Sequence, residues 1–331
     1  MSEVSTRRQF LSRVGAAAAV ASLPMECLLA AGDEPKQPRA RVAIGRDEKL
    51  VGGKLDEHRE LLGKLLDAAV QKIMRASDAE LAWRQLFKPR DRVGIKVNAL
   101  GLSTQPAIVD AIVAGLRRAR VPANRIIIWD RFDVELVQAG FKLNRSSRGA
   151  RCYGTDADRI GSGYQREIEV SGRIGSCFSR IVAEQVDALI SVPVLKDHNL
   201  AGVSLGMKNF YGAIHNPNKY HEDNCDPFIA DVVSHRHIAR KLRLTVCDGL
   251  RAQYHAGPGV HPGFAWPLGG LIVSTDVVAA DAVGADLLEK QRREKGLNSF
   301  AEEKRPARHI ATAGARGLGV ADLDRIQRIE V

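Results

Sequence analysis

Short apolar runs alternate with one-sided helical patterns along most of the chain. Continuous apolar runs at 125–130 and 189–195 predict strands that are buried on both faces. A further strand is predicted at 92–98, and the helical pattern after it begins with Thr104 as cap and Pro106 in the first turn. This order predicts a mainly parallel sheet with helices on both faces, a three-layer α/β fold.

The same patterns extend this fold to either side. They predict strands at 41–45, 242–248 and 270–276, and helices at 56–75, 178–186, 231–241 and 277–290. Residues 144–176 are rich in Ser, Gly and Arg and lack periodicity, which indicates an irregular excursion. We therefore predict a single α/β domain over residues 42–331.

Polar residues stand at the carboxyl ends of the predicted strands. They are Asn98, Asp130, Lys196, Asp248 and Asp276. Ligands of open α/β sheets bind outside the carboxyl ends of the strands, so these residues predict a binding edge. Helix capping is an alternative role for Asp130 and Asp276, and a turn is an alternative for Asp248. Lysine is not a capping residue, so Lys196 marks the edge most clearly.

Residues 189–220 change abruptly from apolar to polar and form the centre of the predicted site. Lys196, His198 and Lys208 are the candidate catalytic residues, with His198 as an acid, a base or a ligand. The candidate substrate-binding residues are Lys96, Asn98, Asn209 and Asp248. The lysines would present a cationic wall to a carboxylate or phosphate. A lysine that acts as a base or nucleophile is an alternative, and Lys96 pointing to solvent is another.

Histidines are concentrated around this segment, and imidazole suits both metal ligation and acid–base work. His198, His215 and His221 are the candidate metal ligands, although their spacing matches no standard zinc motif. The alternative for each is an ordinary hydrogen-bonded histidine. His235 and His237 are two positions apart in a predicted helix, so we expect them to face different directions and to form no joint site.

The composition of the chain argues against several classes of function. The net charge is +10, but aromatic residues make up only 5% and no basic run is interleaved with them, so nucleic-acid binding is not predicted. The five cysteines contain no C-x-x-C pair, so their spacing supports neither a zinc ribbon nor an iron–sulfur cluster. The sequence leaves open whether Cys152 and Cys177 form a disulfide bridge.

The N-terminal residues resemble a targeting signal. Residues 5–11 read STRRQFL, which resembles a twin-arginine export signal with Ser12 in the position often held by lysine. The apolar run at 14–23 is too short and weak to span a bilayer, so no stable membrane span is predicted. We predict a signal peptide at 1–31, a linker at 32–41, the twin-arginine translocation machinery as partner, and a periplasmic or extracytoplasmic location.

Several motifs occur in a fixed order in the second half of the chain. P-x-x-K-x-H stands at 193–198, K-N-x-x-G at 208–212, and Asp248-Gly249, Asp276 and Asp281 follow. In this order they resemble the family called domain of unknown function 362, over roughly residues 90–330. Many members of that family carry ferredoxin-like cysteine motifs, which this chain lacks. The resemblance implies the location of a site rather than its reaction.

Taken together, the sequence favours an exported enzyme that acts on a small anionic molecule. A metal ion or redox group would assist it, because twin-arginine export often carries folded proteins with a cofactor already installed. The alternative is a non-catalytic periplasmic ligand-binding or cofactor-carrier protein. The cofactor, the substrate and the signal cleavage site stay unassigned at this point.

Overall fold

The alternating strands and helices build one large mixed sheet with helices on both sides. The computed structural model describes residues 40–52, 58–157 and 161–331. The strands are β1 (Ala40–Arg46), β2 (Val93–Val97), β3 (Ile126–Trp129), β4 (Arg151–Cys152), β5 (Glu169–Ser171), β6 (Ile174–Ser176), β7 (Ala188–Val192), β8 (Val194–His198), β9 (Gly202–Ser204), β10 (Leu242–Gln253), β11 (Ala265–Trp266), β12 (Gly270–Ser274) and β13 (Ile326–Glu330). The helices are α1 (Arg59–Met74), α2 (Ala79–Leu86), α3 (Pro106–Arg118), α4 (Asp133–Gln138), α5 (Phe228–Ser234), α6 (Arg236–Ala239), α7 (Val277–Glu294) and α8 (Arg308–Ala315).

Eleven of the described strands form the main sheet, whose path runs β13-β1-β12-β10-β7-β2-β3-β4. The neighbours from β10 to β4 are all parallel. Strand β12 is antiparallel to both β1 and β10. Strands β5 and β6 form a separate hairpin. The predicted mainly parallel α/β fold is therefore confirmed.

Two apolar layers cover the faces of this sheet. On one face, α1, α2 and α3 bury Leu66, Trp83 and Ile112 against strand residues such as Ile95. On the other face, α7 packs on β12, and α5 and α8 extend the same apolar layer, which buries residues such as Val283. Each fully buried side chain of this size contributes about 1.5–3 kcal/mol relative to exposure. The three-layer arrangement is thus held by the same apolar stripes that predicted the helices.

The apolar run at 189–195 is divided between two strands. It breaks at Pro193, which has no backbone N–H to donate to a ladder, so β7 ends at Val192 and β8 begins at Val194. The Pro193 carbonyl instead accepts a hydrogen bond from the Asp248 amide at 2.8 Å. Lys196 and His198, expected at the end of one long strand and just after it, therefore lie within β8.

Two local predictions about caps and edges were wrong. Thr104 does not cap α3. Its hydroxyl accepts from the Asn98 amide at 2.9 Å and donates to the Val192 carbonyl at 2.7 Å. Asp276 caps α7 by accepting from the Ala279 amide at 2.9 Å, which confirms the capping alternative and not the binding edge. Because β12 runs antiparallel to its neighbours, this end of β12 lies at the edge of the sheet opposite the predicted binding edge.

The irregular segment predicted at 144–176 and the residues that follow it contain short strands and short helical turns. The described parts of 144–176 include β4 and the hairpin β5–β6. A π-helical turn at Ile181–Gln185 replaces the helix expected at 178–186, and the helix expected at 231–241 is interrupted at His235, whose backbone is extended. Cys152 and Cys177 are free thiols rather than a bridge.

The N-terminal predictions fall largely outside this structure. The signal peptide at 1–31 and residues 32–39 of the linker lie outside the described residues. Strand β1 begins at Ala40, inside the predicted linker. Across the part of the chain that the structure describes, none of the helices combines the length and apolar character needed to cross a bilayer.

Candidate functional site

A cavity of about 470 Å³ lies at the carboxyl edge of β2 and β3, under the strand β8. Its wall includes six of the seven residues proposed from the sequence for catalysis and substrate binding: Lys96, Asn98, Lys196, His198, Lys208 and Asn209. Three stretches of the chain supply them, at 96–98, 196–198 and 208–209, and the fold brings these stretches together. The edge predicted from the strand ends is thus where these side chains meet.

Strand β8 orients two of these side chains. It pairs with β10 on one side and β9 on the other, and alternate residues of a strand point to the same face. Lys196 and His198 therefore both line the cavity. Asp197 points the other way, where its carboxylate contacts Arg305 at 3.0 Å and accepts a hydrogen bond from the Gly257 amide. These buried contacts of Asp197 fix which face of β8 is turned toward the cavity.

Lys96 lies at the bottom of the cavity and is almost completely buried, so the alternative that it points to solvent is wrong. Its ammonium contacts Asp130 and the Val97 carbonyl, each at 2.6 Å, and donates to Asn209 at 3.2 Å. Burial lowers the Lys96 pKa, and Asp130 opposes that shift. All three ammonium protons have oxygen partners, so Lys96 supplies charge and structure rather than a free donor.

Lys196 holds the loop that follows β2. Its Nζ donates to Asn98 Oδ1 at 2.9 Å. It also donates to the carbonyls of Leu100 and Leu102, each at 2.8 Å. Burial, followed by the nearby Lys208, lowers the pKa of Lys196 to about 7, while three oxygen acceptors favour its ammonium form. With its donors occupied, Lys196 braces the cavity wall.

Lys208 differs from the other two lysines in its hydrogen bonding. Its Nζ lies 3.1 Å from His221 Nε2 and 4.5 Å from the centre of the Tyr211 ring. No oxygen of the described residues accepts a hydrogen bond from it. Burial lowers the pKa of Lys208 to about 8. Lys208 is therefore a cation at neutral pH with donors left to offer to a ligand.

The ring of His221 is arranged to accept from Lys208. Its Nδ1 lies 3.2 Å from the Pro217 carbonyl, which can only accept, so Nδ1 carries the ring proton. Nε2 is then the unprotonated nitrogen that faces the Lys208 ammonium. Burial and the neighbouring Lys208 lower the His221 pKa, in keeping with a neutral ring.

His198 is fixed in the complementary tautomer. Its Nδ1 accepts from the amides of Leu200 and Ala201 at 3.1 and 3.3 Å, which leaves the proton on Nε2. The ring stacks on His221 with centroids 5.7 Å apart. Burial, then Lys208, lowers the His198 pKa to about 2, so the ring is neutral. In this form it offers a neutral N–H donor.

The turn before Lys208 is held by a buried carboxylate from the helix layer on the same face of the sheet. Asp281 of α7 accepts from the amides of Gly206 and Met207 at 2.7 and 2.9 Å. Burial raises the pKa of Asp281 to about 7. The K-N-x-x-G motif and the later acidic residue thus form one positioning unit.

Gly212 marks how closely the chain approaches the buried ion pair. A Cβ at this position would lie 2.7 Å from Asp130 Oδ1 and from Lys96 Cε. Such contacts are shorter than real side-chain packing permits. The glycine of the K-N-x-x-G motif therefore leaves space for the Lys96–Asp130 pair.

Two sequence candidates do not join the site. Asp248 is buried, and its two carboxylate oxygens accept from the amides of Gln105 and Leu250 at 2.8 and 2.9 Å. Burial raises its pKa to about 7. His215 is exposed and packs edge-on against Tyr164. Among the described residues that form the cavity wall, neither Asp248 nor His215 occurs.

Other members of the site were not among the catalytic or binding candidates, although Asp130 was placed at the predicted binding edge. Asp130 pairs with Lys96, and Arg131, Glu135 and Tyr211 also line the cavity. Burial, then Asp130, raises the pKa of Glu135. The position of Asp130 after β3 was the available signal for Asp130 and Arg131. Glu135 follows in α4, and nothing in its sequence context indicated that it faces the cavity.

A second histidine group lies outside this cavity, and it contradicts a prediction. His235 Nε2 and His237 Nε2 contact the two oxygens of Glu169 at 3.1 and 2.8 Å. The expectation that the two rings face apart assumed an unbroken helix. The helical path breaks at His235, which lets both rings turn toward Glu169 on β5.

The fold and site define a mainly parallel α/β protein with a lysine-rich cavity at the carboxyl edge of its sheet. The sequence profile described as a domain of unknown function, number 362, matches residues 93–286, and the chain belongs to this family. The comparison with curated proteins gave no significant match. The crystal structure of a Thermotoga maritima protein, a structural genomics target, is similar with a TM-score of 0.44 and 10% identity over 72% of this chain. This chain covers 59% of that protein's length.

Proposed function

We propose that the cavity binds a small organic or phosphate anion and that the protein is an enzyme acting on it, with Lys208 as the direct cationic contact. The supporting observation is the contrast among three buried lysines. Lys96 and Lys196 each donate to three oxygens. For Lys208, the bond to His221 is the single hydrogen bond found within the described residues.

The surroundings of Lys208 fit an anion. Lys96, Arg131, Lys196 and Lys208 contribute positive charge to the wall, against the carboxylates Asp130 and Glu135. His198 adds a neutral N–H, and an ammonium in a site of low dielectric binds anionic oxygen strongly. As a reaction step, Lys208 can donate a proton to charge that develops on the bound molecule, since its pKa of about 8 is close to neutral pH.

The alternative is a ligand-binding or cofactor-carrier protein. It is favoured by the fact that Lys196, the residue of the strand motif, braces a loop instead of facing the ligand with free donors. Both functions share the anion site. A measurement of catalytic turnover distinguishes the enzyme from the binding or carrier protein.

Calorimetric titration with inorganic phosphate, malonate and pyrophosphate tests the site. Lys208→Met should weaken binding about 10- to 100-fold, the value of one charge-assisted hydrogen bond. The exposed Lys290 of α7 provides the matched control, and Lys290→Met should bind as the parent does. Equal binding by parent and Lys208→Met, or no binding of any of the three anions by the parent, would contradict the proposal.

Unfolding measurements separate the roles of the two lysines. Lys196→Met leaves the Leu100 and Leu102 carbonyls without their donor, so we expect a loss of about 1–3 kcal/mol in the free energy of unfolding. Lys208→Met removes a partly desolvated charge and should leave that free energy unchanged or higher. Hydrolysis of p-nitrophenyl phosphate or acetate by the parent and not by Lys208→Met would favour the enzyme over the carrier.

A further inference from the structure

Three side chains that can ligate metal converge on one point away from the lysine-rich cavity. Glu169 extends from the hairpin β5–β6, and His235 and His237 lie at the junction of α5 and α6. One ligand atom from each residue lies within 4.8 Å of the other two. In the described part of the chain, this is the one group of three or more such residues that meets this distance.

The distances suit a bound ion. In a tetrahedral site with metal–ligand bonds of about 2.0–2.2 Å, neighbouring ligand atoms lie about 3.4 Å apart. The two Glu169 contacts, at 3.1 Å to His235 and 2.8 Å to His237, are already close to that separation. Two imidazoles and one carboxylate form a donor set that zinc and related divalent first-row metals take in proteins.

Packing holds both rings in place. The Phe178 ring stacks on His235 at a centroid distance of 4.1 Å and an interplanar angle of 18°. It meets His237 edge-on at 5.5 Å. The side chains of His235, His237 and Glu169 are only 7%, 12% and 15% exposed. A site whose ligands are fixed in this way loses little conformational entropy when it binds an ion.

The carboxylate is also held from the protein side. The hairpin that carries Glu169 is attached to α5 by Asp231, whose carboxylate accepts from the Arg173 amide at 3.0 Å and whose carbonyl accepts from Ser171 at 2.7 Å. Glu169 therefore approaches the two rings on an anchored backbone. An ion at this point would add a second link between hairpin and helices.

We propose that Glu169, His235 and His237 bind a divalent transition metal ion of the zinc class, which links the hairpin β5–β6 to the α5–α6 junction. This site is independent of the proposed anion cavity and of its function. The ion replaces the protons that bridge the imidazole nitrogens and the carboxylate, because a ligating nitrogen must present its lone pair. In each neutral ring, the proton that leaves Nε2 is taken up at Nδ1 by exchange with solvent, so the imidazole stays neutral.

Two contacts change on binding. His235 Nδ1 accepts from the His237 amide at 3.3 Å, and this long hydrogen bond is lost when Nδ1 takes up the ring proton of the metal-bound tautomer. Arg236, which contacts Glu169 at 2.8 Å, has a side chain that is 60% exposed and can swing into water. Both contacts are weak ones, so the ion has little to displace.

Zinc and cobalt titration of the full chain, purified without a histidine tag and stripped with chelator, tests the site. We expect one Zn²⁺ per chain and a rise in melting temperature. Added Co²⁺ should give visible absorption bands. Glu169→Gln, which keeps the size and one acceptor oxygen, should lower Zn²⁺ affinity at least tenfold, and His237→Ala at least 100-fold. Melting without metal shows whether each variant is folded.

The matched control is His221→Gln, which alters the histidine that faces Lys208 and should leave the metal stoichiometry and affinity unchanged. A parent protein that binds no Zn²⁺, or Glu169→Gln and His237→Ala variants that bind it as well as the parent does, would overturn the proposal. Loss of binding in His221→Gln alone would place the metal in the cavity and would equally overturn it.

Discussion

Each of the two histidine groups of this protein contains two imidazole rings. The charged side chain nearest to the rings is a cation in one group and an anion in the other. In the cavity, His198 and His221 are stacked on each other beside Lys208. In the second group, His235 and His237 share the carboxylate of Glu169. A lysine ammonium disfavours a neighbouring metal ion, whereas a carboxylate supplies one of its ligands. The charge of the nearest side chain, more than spacing in sequence, thus distinguishes the proposed anion site from the proposed metal site.

The carboxylates of the two regions, Asp130 and Glu169, should differ most in what they contribute to the stability of the fold. Asp130→Asn leaves the Lys96 ammonium without its charge partner in a site where the two side chains are 6% and 1% exposed. Breaking a buried ion pair on one side costs about 3–5 kcal/mol. Glu169→Gln loses weaker hydrogen bonds, so we expect about 1 kcal/mol. Urea unfolding of both variants at pH 7, without added metal, measures the difference. Equal losses would mean that Lys96 gives up its proton at little cost.

The second largest effect on the free energy of unfolding is expected when the space beside the Lys96–Asp130 ion pair is filled. Gly212→Ala places a methyl group 2.7 Å from atoms of Asp130 and Lys96, so we expect a loss of about 1–3 kcal/mol from overpacking. Gly63 in α1 is the control, because a methyl group added there would have no heavy atom within 4 Å. Gly63→Ala should raise the free energy of unfolding by about 1 kcal/mol through helix propensity. A neutral Gly212→Ala would show that the cavity floor can relax.

The pH dependence of anion binding gives the smallest effect. The pKa of Lys208 is lowered from 10.5 to about 8, so anion affinity should fall about tenfold per pH unit above pH 8. The contribution of Lys208 to stability has the opposite sign. Between about pH 8 and 10.5 the unfolded chain binds more protons at this site, so the unfolding free energy rises with pH.

Calorimetric titration of phosphate between pH 7 and 10 checks this slope. Lys208→Met should lack it. An unchanged slope in Lys208→Met would assign the titrating ammonium to Lys196, whose pKa is lowered to about 7.

Periodicity predicted the layers of the fold well, because burial of continuous strands and one-sided helices is a local property. The direction of each strand is not local. The run at 270–274 has the same apolar pattern as the parallel strands of the sheet, yet β12 is antiparallel to both of its neighbours. Asp276 consequently caps a helix at the opposite edge of the sheet. Nothing in the residues of that run distinguishes the two directions.

The site was predictable to the extent that polar residues interrupt apolar runs. Lys196 and His198 stood out for this reason, and the cavity contains both. The roles of the lysines were not predictable, because they depend on which carbonyl oxygens the loop 98–104 brings to each Nζ. The pairing of His235 with His237 was missed for a similar reason, since it depends on one extended residue in an otherwise helical segment.

Strand β10 serves both the core and the cavity. Its first half pairs with β7 and β12 in the centre of the sheet, and its continuation to Gln253 pairs with β8, which carries Lys196 and His198. Opening the cavity wall therefore strains the same backbone that holds the core. In native-state hydrogen exchange we expect the β8 amides to open with the core strands rather than with the loops. The proposed anion would therefore meet a surface that is already in place.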